Sequence, residues 1–264
     1  MPAKLHVPRQ FLRMKFCAAI TLLACMGVAQ AETPAFDRPG IAFSVTTLPA
    51  GSLSWEQGLP DLSRDRSDGI TRTEYNAGSL LRVGLGEKIE LQVGHAAFNL
   101  LRSTGAGAGE SLREHGAGDT SLALKVALPA LGENLQWALL GSTTLATGNA
   151  AFSAGDTAYA LGTTLEWSLD ERSALAFYAN VETQDGGTTL SLSPSYSVAL
   201  NDAVGLFAEA GYTRNRHLPD DVVAGGGVTW LVAPTVQLDL SANVGLTSDS
   251  TDLQAGFGIS VFFP

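Results

Sequence analysis

The chain has 264 residues, of which 45% are hydrophobic and only 16% charged, and its formal net charge is −10. The acidic balance argues against nucleic acid as a partner, because phosphate backbones are bound by clustered Lys and Arg. After Ala31 no apolar run approaches the ~20 residues that a membrane helix needs, so we expect no membrane helix in that part of the chain.

The N-terminus has the layout of a secretory signal peptide, with basic residues, an apolar run and a small-residue cleavage motif. The apolar run extends from Phe16 to Val28 and is followed by "AQAE"; the basic residues before it are Lys4, Arg9, Arg13 and Lys15. We therefore predict a signal peptide over residues 1–31 with cleavage after Ala31, starting at Met1 or at Met14.

Both cysteines, Cys17 and Cys25, fall inside this signal, so the mature chain would have no disulfide and no thiolate ligand. Lipoprotein processing at Cys25 is an alternative. Without the signal the chain carries 12 basic against 26 acidic residues, a formal charge of −14. An exported, charge-poor chain without membrane helices leaves two classes, a soluble β-domain and an outer-membrane barrel.

Residues 32–51 contain Pro34, Pro39 and Pro49, and we interpret them as a periplasmic lead-in or a plug-like segment. From residue 52 onward apolar and polar residues alternate, which is typical of strands. The predicted strands are 52–59, 73–84, 89–99, 119–128, 135–145, 158–168, 173–182, 188–200, 203–213, 221–232, 235–246 and 252–263. The predicted fold class is all-β: a transmembrane antiparallel up-and-down barrel of about 12 strands over residues 52–264.

The connections alternate between two kinds. Five short turns lie near Gly86, Gly132, Asp170, Asn201 and Ala233, and the longer polar segments are 60–72, 100–118, 146–157, 183–187, 214–220 and 247–251. This layout is typical of membrane barrels, and an even strand number predicts that both termini lie at the short-turn, periplasmic end. Pro194, inside the strand 188–200, predicts a bulge because proline removes a ladder hydrogen bond.

Aromatic residues indicate which face contacts lipid. Three tryptophans fall on the apolar faces of different strands, each within about four residues of a short turn, and two tyrosines fall on that face at the long-loop end. They are Trp137, Trp167, Trp230, Tyr159 and Tyr212. We therefore predict an interfacial membrane girdle and a lipid-facing apolar surface. The alternative is a lipocalin-like soluble barrel with its apolar face inward, a class that usually has about eight strands.

The same register places seven acids and two bases on the inner, pore-lining face: Glu56, Glu74, Arg82, Glu90, Lys125, Glu166, Glu182, Glu209 and Asp239. Acidic walls in a confined channel favour cations. The alternative is that these charges only pair with one another or with water. Small inward residues such as Gly162 and Ser195 would keep a narrow lumen open, or would let a plug pack closely.

Four segments carry a resemblance to a known family. They are "RPGIAFSVTTLPAGSLSWEQGLPD" (38–61), "SLLRVGLGEKIELQVG" (79–94), "GAGDTSLALKVAL" (116–128) and "TTLATGNA" (143–150), where Ala146 replaces a proline. The chain resembles the outer-membrane transporter family labelled "MetA-pathway of phenol degradation". The resemblance implies an outer-membrane channel or transporter for small solutes, with aromatic or hydrophobic compounds as a suggested cargo. A barrel of this class also implies the barrel assembly machinery of a Gram-negative bacterium as a partner.

We predict no catalytic, metal or cofactor site. His95, His115 and His217 are not accompanied by Ser and an acid in the pattern of a hydrolase. The Gly-rich run 105–109 lacks the flanking strand and helix of a nucleotide-binding fingerprint. Two functional classes remain open: a channel or transporter for small solutes, and a non-transporting structural or surface-interaction barrel.

Overall fold

The computed structural model describes residues 35–105 and 111–264; the predicted signal peptide, its cleavage site and residues 32–34 lie outside the described residues. Within the described part no helix is long and apolar enough to cross a membrane. The strands are β1 (Leu53–Gly58), β2 (Asp61–Ser67), β3 (Ile70–Gly84), β4 (Ile89–Thr104), β5 (Ser111–Gly116), β6 (Thr120–Ala127), β7 (Leu135–Leu145), β8 (Ala158–Ser168), β9 (Ser173–Gln184), β10 (Gly187–Ala199), β11 (Val204–Asn215), β12 (Asp221–Ala233), β13 (Val236–Gly245) and β14 (Leu253–Phe263).

The strands form one closed antiparallel barrel. From β6 to β14 each strand pairs with the next in sequence, and β14 closes the barrel by pairing with both β1 and β2. β1 and β2 lie end to end, since both also pair with β3, and β5 and β6 likewise both pair with β4. The fourteen segments therefore occupy twelve positions around the barrel, which confirms the predicted fold class and strand number.

Two predicted long loops are in fact strands over much of their length. Residues 61–67 form β2, and β4 continues to Thr104 and pairs with β5. These extensions reach beyond the apolar band, where polar residues suit both faces of the sheet, so the alternation that identifies a strand is lost there. The predicted segment 183–187 reduces to a turn at Asp185 and Gly186, both with positive φ, a pair that favours two-residue hairpins.

The prediction of a bulge at Pro194 is wrong. Pro194 lies opposite Phe177 of β9 in an uninterrupted register, and the ladder toward β11 skips only Ser193 and Pro194 before it resumes in the same register. Pro194 has no backbone N–H, and the β10–β11 ladder is interrupted at this position without a change of register. The register shifts occur instead at residues 77–78 and 231–233.

Neighbouring side chains alternate between an exposed apolar face and a buried polar face. Leu81 and Leu240 are 37% and 54% exposed, whereas Arg82 and Asp239 next to them are 0% and 2% exposed. In a closed barrel the exposed face is the outside, so the alternative with an inward apolar face is wrong. An apolar outer band over a polar interior is typical of a barrel that spans a membrane.

The first and last strands meet at the end that carries the short turns. Leu53 pairs with Phe263 of β14 and with Val83 of β3, close to the turn that joins β3 to β4. The barrel therefore begins and ends at the same edge, here called the short-turn end; the opposite edge is called the long-loop end.

Candidate functional site

Residues 35–48, hereafter the plug segment, run inside the barrel. Phe36 and Leu48, near its two ends, are buried in one apolar cluster with Phe262 at the short-turn end. Between them the segment reaches Asp61 and Glu209 on the inner wall. The plug segment is therefore a loop that enters and leaves the lumen at the short-turn end.

A buried cluster of charges joins the plug segment to the wall. The Arg82 guanidinium lies 2.8 Å from Glu56 and 2.7 Å from Glu90. The Lys125 ammonium donates to Asp37 of the plug segment at 2.9 Å, and Arg82 lies 3.5 Å from the same carboxylate. Three acids and two bases thus share a site shielded from water, where each charge depends on its partners.

Wall carboxylates also bind the backbone of the plug segment. Glu56 accepts the N–H groups of Asp37 and Arg38 at 3.1 and 2.8 Å, and Glu90 accepts the N–H of Leu48 at 2.8 Å. An irregular segment has no partner strand, so buried N–H groups need acceptors from elsewhere. The inner acids of β1 and β4 supply them.

A second contact fixes the middle of the plug segment. Arg38 donates two hydrogen bonds of 2.8 Å to the two carboxylate oxygens of Asp61, and it lies 3.2 Å from Asp239. Paired bonds of this kind between Arg and a carboxylate are strong and directional. Three residues after Arg38, the N–H of Ile41 donates to Glu209 of β11 at 2.9 Å. Glu209 also accepts a side-chain N–H of Asn243 at 2.9 Å.

Wall glycines make room for the plug segment. A Cβ added to Gly258 would collide with the guanidinium of Arg38, and one added to Gly211 would lie 2.8 Å from the side chain of Ile41. At these positions the absence of a side chain serves close packing of the plug segment. Gly40 has φ +124°, in the region that favours glycine, and it lies in a bend of the segment.

Two cavities flank the middle of the plug segment. One, of about 220 Å³, faces the long-loop end and is lined by Asp61 and Gln254. The other, of about 410 Å³, faces the short-turn end and is lined by Glu166 and Phe207. Both are bounded by residues 38–40 and by Glu209. The contact between the plug segment and β11 therefore separates two open spaces in one lumen.

All nine charged residues predicted to line a pore lie on the inner face. Six of them contact the plug segment: Glu56, Arg82, Glu90, Lys125, Glu209 and Asp239. Glu166 borders the larger cavity, and Glu74 and Glu182 lie nearer the long-loop end, with Glu74 4.0 Å from Arg72. The structure thus groups six of the charges around one segment instead of spacing them along a free channel wall.

Three charged residues of this site are not among the predicted pore-lining residues: Asp37, Arg38 and Asp61. Asp37 and Arg38 are the only charged residues of the plug segment, and this adjacent pair was the available signal. Asp61 falls in the predicted loop 60–72, because the first barrel strand is interrupted at Leu59 and Pro60.

The predicted girdle residues are positioned at the two rims. Trp167, Trp230 and Tyr159 are 56%, 52% and 63% exposed on the outer face, whereas Trp137 and Tyr212 are half-buried. Trp137 donates to the carbonyl of Pro129 at 2.9 Å, and the Tyr212 hydroxyl donates to Asp220 at 2.8 Å. Trp55, a fourth tryptophan outside the predicted girdle, also faces outward near the short-turn end.

The sequence model of the family described as "Putative MetA-pathway of phenol degradation" matches residues 36–263. No curated protein matches the chain. The structure is similar to an outer membrane channel from Pseudomonas putida F1, with 14% identity and a TM-score of 0.68 over 86% of this chain and 99% of that one. It is also similar to the KdgM porin in complex with disordered oligogalacturonate, with 8% identity and a TM-score of 0.54 over 81% and 99%. Both likenesses support the fold of an outer-membrane barrel.

Proposed function

Because the chain belongs to the family of the MetA pathway of phenol degradation, we propose that it is an outer-membrane channel for passive passage of small solutes. The proposal includes export through the signal peptide 1–31 with cleavage after Ala31, short turns at the periplasmic end, and insertion by the barrel assembly machinery. It includes no catalytic step and no cofactor. The plug segment, which falls within the predicted lead-in 32–51, closes the lumen in it.

The observation that carries this proposal is the pair of cavities on either side of residues 38–40. Their volumes, about 220 and 410 Å³, are those of small-molecule spaces inside one barrel. Twelve strands enclose more room than eight, whose interior is filled by side chains. Passage requires that residues 38–40 move away from the wall, because solvent space already lies on both sides of them.

The larger cavity favours small solutes with an apolar part. Phe43 and Phe207 offer aromatic surface there, and Ser195 and Glu166 offer polar groups. Acidic walls disfavour anions, so anionic sugar polymers, such as the oligogalacturonate seen with the KdgM porin, are not expected as cargo. Small aromatic or hydrophobic compounds, neutral or cationic, fit this lining.

A non-transporting barrel is the second candidate, and the buried charge cluster favours it. Arg82 and Lys125 are fully buried and hold Asp37 in place. A plug segment bound in this way would block passage through the lumen. The barrel would then act through its surface.

Single-channel conductance in planar bilayers distinguishes the two functions. The mature chain, Glu32 to Pro264, is compared with the double variant Asp37→Asn/Arg38→Gln, which removes both charges of the plug segment. We expect small discrete current steps from the wild type and larger or longer ones from the variant. The matched control is Ser44→Ala/Thr46→Ala, because these hydroxyls bond to each other within the plug segment. A folded wild type without current, together with a silent double variant, would reject the channel.

Ion preference tests the role of the inner acids. Glu166 and Glu182 have no ion-pair partner among the described residues, so they can attract cations, whereas Glu56 and Glu90 are both paired with Arg82. We expect Glu166→Gln/Glu182→Gln to lower the cation preference by roughly half or more. Glu133→Gln/Glu171→Gln removes two exposed acids from short turns and serves as the control. Unchanged selectivity in the first variant would remove these acids from the mechanism.

A further inference from the structure

Five exposed arginines lie on one side of the barrel at the long-loop end. Arg72 of β3 alternates with Thr73 and shares the inward register of Glu74, and the other four belong to β2, β4 and β5 and are Arg64, Arg66, Arg102 and Arg113. The chain has only 16 Lys and Arg against 26 Asp and Glu. β2 and β4 pair with β3, and β5 pairs with β4, so these four arginines form a local basic surface on an acidic protein.

The register places three of these arginines on one row. Arg64 lies opposite Thr73 of β3, Thr73 lies opposite Arg102 of β4, and Arg102 lies opposite Arg113 of β5. Directly opposed residues project to the same face of a sheet. The arginine row, defined as Arg64, Arg102 and Arg113, spans three strand spacings, or about 14 Å.

The arginine row faces outward. On β4, Leu101 is buried with 4% exposure and faces the lumen, whereas Phe98 is 50% exposed on the outer face. Arg102 alternates with Leu101 and is exposed, so it shares the outer face with Leu100. Residues paired with Arg102 share that direction, which places the whole row on the outside of the barrel.

The arginine row lies where the apolar outer band ends. The outward residues one step nearer the band are Leu62, Tyr75, Leu100 and His115, and those one step further out are Arg66, Thr71, Thr104 and Ser111. Neither set contains an acid. The acids Asp61, Asp65, Glu74 and Glu114 of these strands alternate with them and face inward. Within residues 35–105 and 111–264, none of the three arginines has an ion-pair partner.

We propose that the arginine row binds the phosphate groups of a phosphorylated glycolipid in the outer leaflet. The guanidinium group presents paired donors that match phosphate oxygens, and the row is wide enough to meet more than one phosphate. A lipid is the expected occupant because the row continues the apolar band, so acyl chains can pack below the phosphates. The inference rests on the proposed location in the outer membrane with the long loops outward.

Lipid retention tests the proposal. The mature protein is folded into phosphatidylcholine vesicles that contain either bisphosphorylated lipid A or its dephosphorylated form, and native mass spectrometry then measures the lipid that stays bound. We expect the triple variant Arg64→Gln/Arg102→Gln/Arg113→Gln to bind bisphosphorylated lipid A more weakly by about fivefold per arginine, or roughly 100-fold in all. The charge-matched control is Arg72→Gln/Arg214→Gln/Arg216→Gln, which leaves the row intact.

Retention by the wild type and the control, with loss in the triple variant, supports the proposal. Equal retention by the triple variant overturns it, as does equal loss in the control or equal binding of the dephosphorylated lipid. Conductance in pure phosphatidylcholine is measured on the same samples. A conducting barrel that retains no lipid A rejects only the lipid site, whereas a silent barrel that retains it rejects only the channel.

Discussion

At the residue scale, the plug segment depends on the balance of buried charges. Arg82 contacts Glu56, Glu90 and Asp37 at 2.8, 2.7 and 3.5 Å and is fully buried. Without it, three carboxylates would share the single ammonium of Lys125. Removing one partner of a buried ion cluster is costly, because the remaining charges are left desolvated and unpaired.

We therefore expect Arg82→Gln to destabilise the plugged barrel by about 3–5 kcal/mol. Urea unfolding in lipid vesicles measures the change, and the same variant should show more frequent channel openings. Lys88→Gln, at an exposed short turn, is the control and should leave both properties unchanged. If Arg82→Gln unfolds like the wild type, the ion pairs of Arg82 contribute nothing to stability.

Single residues also show how far sequence reasoning reaches at this scale. The side-chain period of a strand is two, so the inner position of Arg82 or Asp239 follows from counting. Their partners do not follow, because Arg38 and Asp239 are 201 positions apart and no local pattern links them. Pairing in the lumen is a property of the closed barrel.

At the element scale, the connection from residue 146 to 157 is clamped to the interruption between β5 and β6. The Asp119 carboxylate accepts the N–H groups of Gly148 and Ala154 at 2.8 and 2.9 Å. Asn149 accepts the N–H of Ala117 at 2.7 Å. Burial acts to raise the pKa of Asp119, but the N–H donors Ala154 and Gly148 outweigh it and lower that pKa below its ordinary value.

We expect Asp119→Ala to free this connection and to raise the rate of chymotrypsin cleavage after Phe152 by about tenfold, because the loop loses its acceptor. Because the folded pKa of Asp119 is lowered, the clamp is complete above the ordinary Asp pKa of about 3.9 and is lost as the pH falls through the lowered value. Pepsin should therefore attack the wild-type loop only below about pH 4.

The control for this experiment is Asp156→Ala, which removes an exposed acid from the same connection. Its cleavage rate should equal that of the wild type. A clamp that opens between pH 5 and 7, or an Asp119→Ala variant that stays protected, would contradict the role of Asp119.

The elements that sequence reasoning missed share a physical cause. Inside the apolar band one face of a strand meets lipid and the other meets water, and this contrast produces the alternation. β2 and the upper part of β4 lie beyond the band, so their two faces have similar surroundings and their sequences do not alternate. The plug segment falls within the predicted lead-in or plug-like segment 32–51, but its contacts with the wall do not follow from the sequence, because it has no sheet face and therefore no alternating pattern.

At the scale of the whole molecule, all four tryptophans of the chain lie outward near the short-turn end. In the β7–β8 ladder Trp137 pairs with Leu165 and Trp167 pairs with Leu135. Trp230 pairs with Leu238, and Trp55 pairs with Leu81. The intrinsic fluorescence of the protein therefore reports one rim of the barrel, where indole rings prefer the membrane interface.

We expect lipids with bromine near the headgroup to quench this fluorescence at least about twofold more than lipids with bromine near the chain ends, since the girdle lies at the interface. The measurement is made on the mature chain in vesicles, and four single Trp→Phe variants should each lower the signal without changing the depth profile. Stronger quenching from the chain ends would place the tryptophans in the middle of the bilayer and would contradict the girdle.

One consequence follows from the way the plug segment joins β1. Gly51 donates to the Gly84 carbonyl at 2.9 Å, which pins the chain to the wall directly after the segment. A plug segment that leaves the lumen thus stays tethered to β1 by a few residues. Its effective concentration at its own binding site is therefore of millimolar order. Reclosing is then an intramolecular event that does not depend on protein concentration. Open periods should be brief, and a free peptide copy of residues 35–48 at micromolar concentration should not compete with the attached one.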